Sequence, residues 1–123
     1  MGEFAPEPQS VPEAEYTIWV PNRDGEGNEL PWLLNWVRGL MNQSGLSGRT
    51  VIKDAASDWG KTTEDRHLIV TIAPDTPKVH STVRAIALGI KEVAKQEGVF
   101  YTKRPIESYI VTGKANFHKR TTL

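Results

Sequence analysis

Four short stretches of the chain alternate between apolar and polar residues, a pattern typical of strands that bury one face of a sheet. They span residues 16–20, 49–56 and 66–73, with a fourth inside residues 106–111. A short polar segment that contains Gly60 separates the second stretch from the third. We therefore predict that these two stretches pair as an antiparallel hairpin.

Two longer segments carry apolar residues at a spacing of three and four, which predicts helices that bury one side. Asn28 and Thr76 are the predicted N-caps, and Pro77 takes a first helical position that suits proline. We expect Gly98 to end the second helix. The predicted buried stripes are Leu30, Leu33, Leu34, Val37, Leu40 and Met41 in the first helix, and Val79, Val83, Ile86, Ile90 and Val93 in the second.

The elements therefore follow one another in the order βαββαβ. Two split βαβ units of this kind predict an α+β, ferredoxin-like sandwich with a four-stranded antiparallel sheet and both helices on one face. A dimeric barrel built from the same order is the alternative. We expect a flexible, acidic, proline-rich arm at residues 1–15, a single domain at residues 16–112 and a short basic tail at residues 113–123.

A two-layer sandwich leaves one face of its sheet uncovered, and alternation predicts which residues lie there. With Ile18 and Val20 against the helices, Trp19 faces outward, and Tyr109 or Ile110 does so on the last strand. On the third strand we expect the helices to cover Leu68, Val70 and Ile72. The alternate residues of that strand, His67, Ile69 and Thr71, are expected on the uncovered face. Such an apolar face predicts a homo-oligomer that packs sheet against sheet, and a base-stacking platform for RNA is the alternative.

The tryptophans of the first helix also favour an assembly. Trp32 and Trp36 are one turn apart and lie beside or behind the leucine stripe, and Leu88 lies opposite the stripe of the second helix. A helix that covers one sheet is not expected to bury both tryptophans. We therefore predict that Trp19, Trp32 and Trp36 lie at an interface between copies of the chain.

Charge and composition narrow the class of partner. Fifteen basic and fifteen acidic residues give zero formal net charge, which argues against long nucleic acid and leaves a small charged ligand possible. The chain has no cysteine for a disulfide or a thiolate metal site. Its start lacks the pattern of a signal peptide, and no apolar run has membrane-spanning length. We expect a cytoplasmic protein, in the host cytoplasm if it is viral, with no membrane partner.

The histidines offer little support for metal chemistry. His67, His80 and His118 fall on a strand start, a helix and the tail, and no pair of them has the spacing of metal ligands. We therefore expect no metal and no cofactor. Either His67 or His80 beside a carboxylate would serve as the general base of an enzyme.

The predicted hairpin contains the strongest candidate site. Trp59 offers a flat surface for a base, and Arg66 offers a guanidinium for a phosphate. The segment FYTKRP adds Tyr101 as a wall of the pocket, with Lys103 and Arg104 as further cations. These residues predict a site for a small nucleotide-like ligand. The alternative is a solvated turn in which Trp59 covers the edge of the sheet.

The strings TVIKDAASDWG and HLIVTIAPDTP resemble those of small bacterial and phage proteins whose hairpin reads roughly D-A-x-G-x-W. The chain departs from this pattern at Ser57, where a glycine is usual. Over residues 50–95 the layout is similar to the phage anti-Thoeris family, which sequesters signals of the cyclic ADP-ribose type. The resemblance implies an oligomer that holds its ligand between protomers without converting it.

Three functions follow from these observations. The first is a non-enzymatic, homo-oligomeric protein that sequesters a small nucleotide-like signal. The second is a structural or interaction protein that binds a partner chain through its open sheet face, and the third is a small dimeric α+β-barrel enzyme. A pocket with a buried histidine–carboxylate pair would indicate the enzyme. A pocket of aromatics and arginines would indicate the sequestering protein, and no pocket the interaction protein.

Overall fold

A computed structural model describes residues 12–115, which form one antiparallel sheet with two helices. The elements are β1 (Glu13–Pro21), α1 (Leu33–Gln43), β2 (Arg49–Trp59), β3 (Thr62–Pro74), α2 (Pro77–Val93) and β4 (Tyr101–Ile106). The strand order β2-β3-β1-β4 confirms the predicted ferredoxin-like fold. The predicted arm up to residue 11, and the tail from residue 116 with His118, lie outside the described residues.

The hairpin of β2 and β3 is longer and tighter than the sequence pattern predicts. Trp59 pairs with Thr62, so that Gly60 and Lys61 alone form the turn. Gly60 has a φ of +65°, a conformation that glycine adopts without steric cost. The polar segment at residues 57–65 is therefore mostly strand, and the end of the hairpin extends past Pro21, the last residue of β1.

The last strand lies earlier in the chain than predicted, so the prediction of residues 106–111 was wrong. β4 pairs with β1 from Tyr101 opposite Ile18 to Ile106 opposite Glu13. Its sequence YTKRPI is mostly charged or exposed, which an edge strand tolerates because one of its sides faces solvent. Ile110 lies beyond the strand and is 90% exposed.

The second helix begins as predicted, and the first does not. The Thr76 hydroxyl accepts the backbone N–H of Val79 at 3.2 Å, and Pro77 is the first helical residue. α1 begins at Leu33, so the prediction of Asn28 as its cap was wrong. Likewise α2 ends at Val93, five residues before Gly98.

The faces of β3 are opposite to those expected from alternation. The register pairs Ile18 with Ile69, and both are fully buried against the helices, whereas Ile72 is 47% exposed on the outer face. The prediction that Leu68, Val70 and Ile72 face the helices was therefore wrong. Both faces of β3 are apolar enough to be buried, so its pairing with the amphipathic β1 decides the orientation. The Thr71 hydroxyl can enter the core because it donates to the Gly48 carbonyl oxygen.

The two helices complete one core with the inner face of β1. Ile86, predicted at the centre of the α2 stripe, is 4% exposed, and Ile90 is fully buried. The inner residues of β1 (Ala14, Tyr16, Ile18 and Val20) and the buried residues of α1 (Leu33, Leu34, Val37 and Met41) belong to the same cluster. Within residues 12–115, neither helix combines the length and apolar character needed to cross a membrane.

Candidate functional site

A cleft of about 1010 Å³ opens at the end of the sheet where the hairpin projects. Three segments line it: the loop between β1 and α1, the hairpin, and the loop between α2 and β4. Two of the lining residues, Arg23 and Lys95, are basic. The acidic residues of the lining are Asp24, Glu29, Asp54, Glu64, Asp65 and Glu97. The cleft is therefore acidic in a chain with no formal net charge.

Two of the lining loops are clamped together. The Gly25 backbone N–H donates to the Ala94 carbonyl oxygen at 2.9 Å, and the Gln96 side chain donates to the Arg23 carbonyl oxygen at 2.9 Å. Lys95 forms an ion pair with Glu26 at 2.9 Å. A Cβ atom on residue 25 would lie 2.0 Å from the Lys95 carbonyl oxygen, so the close approach of the two loops requires glycine.

We predict that Gly25→Ala lowers the free energy of unfolding by about 1–3 kcal/mol, the usual cost of overpacking, because the loops must separate to admit the methyl group. Chemical denaturation measures this change. Gly39→Ala is the matched control, since a Cβ atom there meets nothing within 4 Å. Alanine in α1 is expected to stabilise the protein by up to about 1 kcal/mol. Equal effects of the two substitutions would contradict the clamp.

Asp24 shapes the first of these loops. Its carboxylate accepts the backbone N–H of Glu26 at 2.8 Å and that of Asn28 at 2.9 Å, and the Asn28 side-chain amide at 3.0 Å. The hydrogen bonds from the side chain and backbone of Asn28 lower the pKa of Asp24 below its usual value. Asp24 is therefore a structural carboxylate of the loop, which leaves other carboxylates to meet a ligand.

A bulge in β2 places Asp54 at the wall of the cleft. The register shifts between Ile52 and Ala55, so that two residues of β2 lie opposite His67. Asp54 has a φ of +53°, its backbone N–H donates to His67 Nδ1 at 3.2 Å, and its carboxylate accepts the Asn22 side-chain amide at 3.3 Å. These contacts hold the Asp54 backbone and side chain from both sides.

Three of the lining carboxylates remain available for a cation. Asp54, Asp65 and Glu97 form no ion pair within residues 12–115, whereas Glu29 pairs with Arg23 and Glu64 pairs with Arg66. The alternation of apolar residues did not reveal these three acids. Asp54 and Asp65 lie in the two strands of the hairpin, but Glu97 follows α2, and no pattern in the sequence joins it to the other two.

Arg66 and Trp59, which were predicted to form the nucleotide site, lie on the two strands of the hairpin. Arg66 lies on the outer face opposite Pro21, is 9% exposed and forms an ion pair with Glu64. The backbone of Trp59 lies four residues beyond Ala55, which pairs with Arg66, a separation of about 13 Å along the hairpin. The side chain of Trp59 is outside what the structure describes, so its role in stacking stays a prediction.

The other predicted ligand residues lie on β4, two strands away from Arg66. Tyr101 and Lys103 face the helices, whereas Arg104 lies on the outer face opposite Glu15. Lys103 forms an ion pair with Asp75 at 2.6 Å, and Arg104 forms one with Glu15 at 3.0 Å. These hydrogen-bonded partners raise the pKa of both bases. Both cations are therefore already compensated, and their binding of phosphate stays a prediction.

The three tryptophans predicted at an interface lie in different surroundings. Trp19 is half-buried on the outer face and packs edge-on against Phe100, with ring centroids 5.0 Å apart. Trp32 is 47% exposed and packs edge-on against Trp36 at 6.5 Å. Trp36 is partly buried against the core. Trp19 and Trp32 thus retain surface for a partner, and their interface role stays a prediction.

Neither described histidine forms the pair that would indicate a histidine-based enzyme. His80 Nε2 lies 2.9 Å from the Tyr101 hydroxyl, and His67 accepts a backbone N–H. No carboxylate of residues 12–115 lies at ion-pair distance from either ring. Within the same residues, no group of three His, Asp or Glu side chains is placed to hold a metal ion.

Comparison of the sequence with protein-family models gives no match, and comparison with curated proteins gives no significant one. Solved structures do match. A phage SAM lyase in complex with S-methyl-5′-thioadenosine is 15% identical, with a TM-score of 0.63 over 80% of this chain and 85% of the lyase. CutA1 from Oryza sativa is 16% identical, with a TM-score of 0.56 over 80% of this chain and 83% of that protein. At these identities the likeness shows the ferredoxin-like fold.

Proposed function

We propose that this protein is a homo-oligomer that binds a small, positively charged adenosine-type ligand in the acidic cleft. The observation that carries the proposal is the convergence of Asp54, Asp65 and Glu97 on one cleft, with no basic partner among the described residues. A cleft lined by charge of one sign concentrates ligands of the opposite sign. Its volume also suits a ligand the size of a nucleoside with a side chain.

The charge of the cleft selects among adenosine derivatives. A phosphate would meet three uncompensated carboxylates, and the predicted phosphate ligands Arg66 and Arg104 already pair with Glu64 and Glu15. A sulfonium or ammonium group would meet carboxylates without first breaking an ion pair. We therefore place S-adenosylmethionine ahead of cyclic ADP-ribose as the class of ligand.

Two similarities support an adenosine group and a phage role. The hairpin resembles phage proteins that sequester nucleotide-like signals, and one structural neighbour is a phage lyase in complex with S-methyl-5′-thioadenosine. We propose that this protein acts in the same way as a sequestering protein, by removing a small adenosine-type molecule from the host cytoplasm. Trp59 is the proposed stacking surface for adenine.

Isothermal titration calorimetry against four ligands tests this proposal. S-adenosylmethionine is expected to bind at least about tenfold more tightly than S-adenosylhomocysteine, which lacks the sulfonium charge, a difference of about 1.4 kcal/mol. ADP and cyclic ADP-ribose are expected to bind more weakly than both. Equal affinity for the two S-adenosyl compounds would contradict a site that recognises the positive charge of the ligand. Tighter binding of cyclic ADP-ribose would favour the phosphate site predicted from the sequence.

A second candidate function is cleavage of the same ligand. Two adjacent acids, Glu64 and Asp65, line the cleft, and the structural neighbour with the TM-score of 0.63 is a SAM lyase. A carboxylate in this position can act as a general base for a water molecule that attacks the Cγ carbon of the methionine chain; the C–S bond breaks, S-methyl-5′-thioadenosine leaves as a neutral thioether, and homoserine is the second product. Incubation with S-adenosylmethionine followed by chromatography separates the two functions. Sequestration predicts recovery of intact ligand, whereas cleavage predicts S-methyl-5′-thioadenosine in excess of one molecule per chain.

The outer sheet face supports the proposed assembly. Ile52 is 48% exposed and Ile72 is 47% exposed, and both lie on this face. Leu68, Val70 and Trp19 are half-buried beside them. A contiguous apolar surface of this kind is typical of an interface, so we propose that it packs against a second copy of the chain.

We predict that light scattering at micromolar concentration gives a mass of at least twice 13.7 kDa. Ile72→Lys is expected to lower this mass to that of one chain, because the packed face would bury an unpaired ammonium group. Val93, predicted in the buried stripe of α2, is 36% exposed in the structure, so that prediction was wrong. Val93→Lys places the same charge on α2 and is expected to leave the mass unchanged. A monomer mass for the unmodified protein would contradict the proposed homo-oligomer.

A further inference from the structure

A second, smaller groove lies between α2 and β4, with a volume of about 230 Å³. Its apolar lining consists of Ala87 and Leu88 from the helix and Val99 and Tyr101 from the β4 side. Leu88 is 43% exposed, although it lies on a helix that packs against the sheet. The groove therefore offers a ligand an apolar surface that the fold itself leaves uncovered.

The two charged residues that line this groove are both basic. Arg84 and Lys91 line it, and the other lining residues are uncharged. Neither base forms an ion pair with a carboxylate of residues 12–115, in contrast to Lys103 and Arg104 on the neighbouring strand. They are seven residues apart on α2, or about 10 Å along the helix axis, so they flank the apolar surface.

Tyr101 forms a rigid end of the groove. Its hydroxyl lies 2.9 Å from His80 Nε2, and the two rings meet edge-on at 81° with centroids 5.8 Å apart. When His80 carries its proton on Nε2 and donates it to Tyr101, the Tyr101 hydroxyl hydrogen is free to donate to a ligand. His80 thus holds the Tyr101 ring in place before any ligand arrives.

We propose that the groove between α2 and β4 binds a small organic carboxylate with an apolar body. The carboxylate pairs with the Arg84 guanidinium, whose planar fork matches two oxygens, and accepts a hydrogen bond from Tyr101. The apolar body covers Ala87, Leu88 and Val99, and Lys91 adds positive charge at the far end. The volume suits a molecule the size of a substituted benzoate.

This site is distinct from the acidic cleft, although the two are neighbours. Among residues 12–115, Gly98 in the loop between α2 and β4 is the one that lines both. The two sites have opposite charge, so a ligand of one is disfavoured in the other. The proposal therefore stands or falls independently of the binding of S-adenosylmethionine.

Fluorine NMR with 4-fluorobenzoate as the probe tests the site. 4-Fluorobenzamide has the same shape without the charge, and it is expected to bind about tenfold more weakly or worse, because it cannot form charge-assisted hydrogen bonds with the Arg84 guanidinium. Acetate has the charge without the apolar body and is expected not to displace the probe. Equal binding of 4-fluorobenzoate and 4-fluorobenzamide would overturn the proposal.

Substitutions identify the location. Arg84→Gln is expected to abolish binding of 4-fluorobenzoate, and Arg84→Lys to leave it intermediate because the charge remains without the fork. Lys78→Gln is the matched control: it changes the net charge equally, and Lys78 is exposed in the first turn of α2 outside the groove. Similar losses in Arg84→Gln and Lys78→Gln would show a non-specific charge effect and would overturn the proposal. Unchanged thermal unfolding confirms that each variant is folded.

Discussion

Replacement of Ile69 by alanine is expected to lower the free energy of unfolding by about 2–5 kcal/mol, the range for an aliphatic side chain removed from a packed core. Ile69 is fully buried, pairs with Ile18 on β1 and belongs to the cluster that joins the sheet to both helices. The loss has two parts: the transfer of the removed methyl groups, and the cavity that rigid neighbours leave unfilled. Chemical denaturation measures this loss of free energy, with one value of the slope m fitted to both proteins.

The matched control removes the same atoms from an exposed side chain. Ile110 is 90% exposed, and Ile110→Ala is expected to change the free energy of unfolding by no more than about 0.5 kcal/mol. This comparison separates the two possible orientations of β3. If Ile69→Ala costs less than about 1 kcal/mol, Ile69 faces outward, as alternation along the strand predicts, and the register with β1 is wrong.

Asp65→Asn is expected to weaken the binding of S-adenosylmethionine about tenfold or more. The attraction between two unit charges near a protein surface, about 4 kcal/mol at 4 Å, exceeds the roughly 1.4 kcal/mol that a tenfold change requires. Asp65 lines the acidic cleft on β3 and has no basic partner within residues 12–115. Asparagine keeps nearly the same shape and removes only the charge. Binding of the neutral thioether S-adenosylhomocysteine should change little, so the ratio of the two dissociation constants isolates the effect of charge.

Glu92→Gln supplies the control for net charge. Glu92 is exposed on α2 and lies outside the cleft lining, yet its substitution changes the net charge of the chain by the same amount. Its effect on affinity should be small and should fall further at higher salt, because distant exposed charges are screened. An equal loss of affinity in Glu92→Gln and in Asp65→Asn would show that binding depends on the overall charge of the protein. That result would contradict binding of the ligand in the acidic cleft.

Local patterns along the chain determined most of the fold. The hairpin of β2 and β3 was predictable because two alternating stretches are separated by a turn that contains Gly60. The start of α2 was predictable because the Thr76 cap and Pro77 act through contacts within one helical turn. The core position of Ile86 followed from helical spacing alone. In each case the deciding pattern lies within one short segment of the chain, so the order of residues in that segment is enough to specify the element.

Long-range pairing decided the rest. Both faces of β3 are apolar, so only its register with β1 shows that Ile69 is inside and Ile72 outside. β4 is an edge strand that pairs with β1, so its other edge faces solvent. Such a strand does not need alternating apolar residues, and its sequence therefore gave no strand signal.

The candidate site depended on tertiary contacts to the same degree. Arg66, Lys103 and Arg104 looked like free cations in sequence, but each meets a carboxylate in the folded chain. Asp54 and Glu97 are 43 positions apart, and they line one cleft only because a bulge and two clamped loops bring their segments together. Which charges are compensated and which remain for a ligand is set by contacts between distant segments, and the order of residues alone does not contain those distances.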